Sequence, residues 1–96
     1  MDLTALEPLA VRNPETLADF DGRVLTGRLG ATTFIVTVSP DGRVEASLST
    51  DRGRPATDAQ VAAFFRRWGH GPKFEDRRAR GCRMFVVRDV RPAYNN

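Results

Sequence analysis

The chain has 96 residues, 15 Lys+Arg against 12 Asp+Glu, a net charge of +3 and 41% hydrophobic residues. That length excludes a large multi-domain enzyme and leaves no room for a cofactor domain beside a substrate domain, so one domain spanning 1–96 is expected. Val, Leu, Ile and Phe account for 23 of the 96 residues, above the roughly 20% below which charged chains stay disordered. A core is therefore expected, although a domain this small hides only about 60–65% of its unfolded surface.

The first residues, Met1-Asp2-Leu3-Thr4-Ala5-Leu6-Glu7-Pro8, hold two acids, no base before Arg12 and no long apolar run. A secretory signal needs a basic start and an apolar stretch, and a membrane helix needs about 20 apolar residues. Neither pattern is present, so the expectation is a cytoplasmic protein without membrane contact. The sole cysteine, Cys82, has no partner for an intramolecular disulfide.

Asn13-Pro14-Glu15-Thr16-Leu17 has the chemistry of a helix start: a capping Asn, Pro at the first helical position, and Glu against the positive dipole end. With Gly22 as a stop, a short helical segment is predicted at about 14–20.

Three alternating runs follow, predicted as a meander over 23–49 with strands near 23–29, 32–39 and 43–49. Gly30-Ala31 suits a two-residue loop with Gly first. Ser39-Pro40-Asp41-Gly42-Arg43 suits a type I turn followed by a glycine bulge. These turns set Leu25 and Gly27 against Val36 and Phe34, and then Phe34, Val36 and Val38 against Leu48, Ala46 and Val44. One apolar face results from both registers, and a one-residue slip would reverse it. The other face carries Val24, Thr26, Arg28, Thr33, Ile35, Thr37, Glu45 and Ser47. It lacks the aromatic platform on which single-stranded nucleic acid stacks.

Thr57-Asp58-Ala59-Gln60 is a capping box. Val61, Phe64, Phe65 and Trp68 follow at the spacing of one buried helical face, and Gly69 stops the helix, predicted at 58–68. The aromatic stripe is expected to be core covering the meander. A loop is predicted over 69–82 and a last strand over 83–90, apolar on both sides at its centre. The predicted fold is α+β, in the order α-β-β-β-α-β, with an antiparallel three-stranded meander, a fourth strand and the main helix on one face. Its first five elements are similar in order to double-stranded-RNA-binding domains, and Gly71-Pro72 with Phe74 is similar to a loop of that family. That loop here follows the second helix, acidic Thr57-Asp58-Ala59-Gln60 stands where the family has a lysine cluster, and a fourth strand is added. No residue role carries over.

His70 and Cys82 are each single in the chain, so a metal site of three or four His/Cys ligands is excluded for one chain. A Cys–His couple lacks an orienting third group, and Gly69-His70-Gly71-Pro72 lacks the ending of a phosphate-binding glycine loop. The expectation is a protein that is not an enzyme and has no cofactor or metal.

Charge points elsewhere. Residues 1–50 hold 4 Lys+Arg against 7 Asp+Glu, whereas 51–96 hold 11 against 5. A long loop in a small domain is usually functional or disordered, and this one carries Lys73, Arg77, Arg78 and Arg80, with Arg66 and Arg67 in the last turn of the helix before it. Together these six bases form the predicted anion or nucleic-acid site, because arginine clusters bind phosphate and carboxylate. The predicted function is a small binding module for a polyanionic partner, with nucleic acid slightly favoured over an acidic protein surface. The alternative is a protein-interaction module, such as an inhibitor, adaptor or subunit, acting through a sheet edge or apolar patch, with homodimerisation by the same route.

Overall fold

The computed structural model describes residues 3–11, 22–76 and 80–88. Its meander consists of β1 (Arg23–Leu29), β2 (Thr32–Val38) and β3 (Val44–Thr50). The registers follow from the turns: Gly27 faces Phe34, Leu25 faces Val36, and Val36 faces Ala46. Gly30 has φ +60° and Gly42 φ +91°, left-handed values that glycine takes without steric cost. Ser39 and Arg43 close the second hairpin, with Ser39 N–H donating to the Arg43 carbonyl at 2.9 Å.

After β3 the chain turns a second time in the same way. Thr50 N–H donates to the Arg54 carbonyl, as Ser39 does to Arg43, and Gly53 N–H returns to the Thr50 carbonyl at 3.0 Å. Gly53 has φ +75°. The returning segment bridges Pro55 to Ser49 and donates from Ala56 N–H to the Leu48 carbonyl at 3.3 Å, which leads directly into helix α1 (Asp58–Trp68). Thr57 Oγ1 accepts from Gln60 N–H at 3.2 Å while Gln60 Oε1 accepts from Thr57 N–H at 2.8 Å, and Gly69 ends the helix at φ +84°.

The helix lays Phe64, Phe65 and Trp68 on the apolar sheet face, where they are buried with Phe34, Val36, Val44, Ala46, Leu48, Phe85 and Val87. Phe64 stands 5.1 Å from Phe34 and Phe65 5.4 Å from Phe85, centroid to centroid. Such contacts add about 0.5–1.5 kcal/mol per pair beyond area burial. The aromatic stripe is core.

The sheet differs from the sequence reading in strand number and in the 69–82 segment. Pro72–Asp76 forms β4 rather than part of one long loop, and Arg83–Val87 forms β5, giving an antiparallel five-stranded sheet ordered β1-β2-β3-β5-β4. In β5, Phe85, Val86 and Val87 are buried on both faces, the pattern of a strand inside a sheet, and its two edges pair with β3 and β4. Extra residue Lys73 bulges β4 between Pro72 and Phe74. The last strand ends at Val87, and 89–90 of its expected range lie outside the described residues, as does the expected helix at 14–20.

A 3-10 turn (Glu7–Leu9) carries the N-terminal segment against β1. Leu3 and Leu6 are buried, Ala10 bridges Gly27, and Val11 N–H donates to the Thr26 carbonyl at 2.7 Å. A side chain at Gly27 would overlap the Leu9 carbonyl oxygen and the Phe34 ring, so this glycine lets the segment lie close over β1. Among the described residues, no helix is long and apolar enough to cross a membrane.

Candidate nucleic-acid interface

α1 runs beside β5, from the end where Arg83 meets Asp58 to the end where Arg88 N–H donates to the Gly71 carbonyl at 3.3 Å. The basic residues consequently divide between two ends of the sheet. Arg66 and Arg67 are exposed in the last turn of α1. Helical neighbours differ by about 100° around the axis. Phe64, Phe65 and Trp68 face the sheet, so Arg66 points away from it into solvent, while Arg67 lies to one side and its Nε donates to the Ala5 carbonyl at 3.3 Å. Lys73 is exposed in the β4 bulge and lies at the same end as Arg66. Arg80 is exposed at the opposite end, between β4 and β5, and Arg77 and Arg78 lie outside the described residues. Of the six bases expected in one cluster, Arg66, Arg67 and Lys73 lie toward one end of the sheet without a shared contact among the described residues, and Arg80 lies at the other end.

Sequence reasoning passed over the bases that complete both ends. At the α1 C-terminal end, exposed Arg88 follows β5, and Arg43 borders a cleft of about 320 Å³ lined by Asp41, Gly42, Arg43, Val44, Lys73, Val86 and Val87. Among the described residues, Arg66, Lys73 and Arg88 have no ion-pair partner. The nearby acids are engaged: Asp41 Oδ1 accepts from Arg43 N–H at 3.1 Å, and Glu45 pairs with Arg43 Nε at 3.1 Å. At the other end, Arg52 and Arg54 project from the 50–54 turn around a cleft of about 390 Å³. Gly81, next to Arg80, packs on Gly53, since a Cβ there would lie 3.3 Å from its carbonyl oxygen. Exposed Asp51 and Asp58 share that end.

Arg83 is basic but occupied. Its Nε and Nη2 fork Glu75 at 3.0 Å each, Nη1 donates to Asp58 at 2.7 Å and to the Ala56 carbonyl at 3.3 Å, and the guanidinium lies 5.5 Å from the Phe85 ring centroid. The hydrogen bonds to Glu75, then those to Asp58, hold it above the ordinary arginine pKa. It ties the start of α1 to β4.

Cys82 precedes the start of β5, whereas His70 lies beyond α1 at the end where β5 finishes, its ring 5.0 Å from Trp68. The strand between them spans roughly 16 Å, outside hydrogen-bond reach. Comparison of the chain with protein-family models, curated proteins and solved structures gives no match.

Proposed function

We propose that this chain is a small non-enzymatic binding module that holds a polyanionic partner, with nucleic acid favoured over an acidic protein surface. One observation carries the reading: Arg66, Lys73 and Arg88 arrive from three successive elements at one end of the sheet, exposed and without ion-pair partners among the described residues. Cations left unpaired raise the local anion concentration and exchange condensed counterions for protein contacts when a polyanion docks. Edge geometry supports the same choice over strand pairing with another chain. β4 is short and carries Pro72 and the bulged Lys73, features that keep an edge from pairing, and β1 is overlain by the Ala10 bridge.

The test is fluorescence anisotropy of labelled duplex DNA, duplex RNA and single strands. Three or four phosphate contacts give an affinity that falls about twentyfold to 150-fold between roughly 50 and 200 mM salt, with weak sequence preference. Reversing Arg66, Lys73 and Arg88 to Glu should abolish binding, while reversing Arg52, Arg54 and Arg80 should leave most of it. The opposite pattern would move the site to the other end of the sheet. Absence of binding to all probes at low salt would sink the reading.

A further inference from the structure

The outer sheet face acquires an aromatic that the meander lacks. Phe74 pairs in register with Val86, Val86 with Glu45, Glu45 with Thr37 and Thr37 with Val24, so these five side chains form one row across the face turned away from α1. Phe74 ends the row at 48% exposure, whereas Phe34, Phe64, Phe65, Trp68 and Phe85 are all buried. No ring packs on it among the described residues. Its chain neighbour Lys73 and its register partner Val86 both line the 320 Å³ cleft that Arg43 closes from the other side.

From this arrangement we infer that the polyanion is single-stranded nucleic acid, with one base stacked on Phe74 and an adjoining phosphate held by Lys73. The inference rests on the polyanion reading and adds the form of the ligand. An exposed ring offers a flat face to any base, and flanking cations hold the backbone, which is the pairing of groups that sequence-tolerant single-strand binders use. Duplex bases are already stacked on one another, so a duplex gains only the phosphate contacts. Of the acids near the cleft, Glu45 is paired with the Arg43 guanidinium, Asp41 accepts from the Arg43 backbone N–H, and Asp76 also has a partner within the protein.

The experiment compares labelled oligo(dT) of about ten nucleotides, a duplex of equal length and inorganic polyphosphate, using the whole protein and its Phe74→Ala and Phe74→Tyr variants. Phe74→Ala should lose at least about fivefold in oligo(dT) affinity, the lower bound for one stacked base, and leave polyphosphate binding unchanged. Phe74→Tyr should restore the loss. Because the ring is exposed, both variants should fold, which circular dichroism checks. Unchanged oligo(dT) affinity in Phe74→Ala, or equal wild-type affinity for polyphosphate and oligo(dT), overturns the inference and leaves polyanion binding standing. Failure of all three probes to bind overturns both.

Discussion

Arg83 commits its guanidinium to the fold, in contrast to the unpaired bases around it. Replacing it with Met would leave Glu75 and the Ala56 carbonyl short of donors, at a cost of about 1–3 kcal/mol. Urea unfolding followed by Trp68 fluorescence measures this, and Arg83→Lys should recover only part, because an ammonium cannot form the planar fork. The raised pKa of Arg83 has a definite sign in pH. A folded value above the unfolded one means the stabilisation is complete below the ordinary arginine range and is lost only as pH rises through the folded value. Wild type and Arg83→Met should therefore keep the same gap in urea midpoint from neutral pH to about pH 10. A gap that closes within that range would refute it. Nothing in the local sequence separates Arg83 from Arg80 or Arg88, because its partners Asp58 and Glu75 are brought to it by helix placement and strand register. For the same reason charge counting could nominate bases without sorting the engaged from the free.

The two Ser/Thr-led turns, Ser39–Arg43 and Thr50–Arg54, have the same closing hydrogen bonds, but only the first is obvious in sequence. Pro40-Asp41-Gly42 announces a turn by its ring-fixed φ and its glycine, whereas Asp51-Arg52-Gly53 has the glycine without the proline. Gly42→Ala and Gly53→Ala should each cost about 1–2 kcal/mol, the penalty for a Cβ at left-handed φ, with similar shifts in urea midpoint. A negligible shift at Gly53 would mean that the 50–54 turn relaxes freely. The meander registers and α1 were legible because period-2 and helical spacings agreed with local turn and cap chemistry. β4 was not, since Pro-Lys-Phe-Glu-Asp shows no alternation of apolar residues. An edge strand needs little apolar surface, and β5 supplies the demand for it.

At the scale of the whole molecule, the excess positive charge of the C-terminal half is spread over two ends of the sheet rather than gathered in one patch. The helix and β4 carry Arg66 and Lys73 to one end, and the β4–β5 connection returns Arg80 to the other. That distribution was invisible without β4. With β1 overlain and β4 bulged, sedimentation velocity should show a monomer across a wide concentration range, and a concentration-dependent dimer would revive edge pairing as the mode of action. The strand order has a kinetic meaning as well. β1–β3 and the β4–β5 hairpin each close through near neighbours, but the β3–β5 seam joins Val44 to Val87 and Leu48 to Arg83 across the intervening helix. Pairings so distant in sequence are the ones whose loop-closure entropy slows folding across small domains. Until residue 87 has emerged, a growing chain carries the β3 edge open, so the meander is made well before the strand that closes its edge.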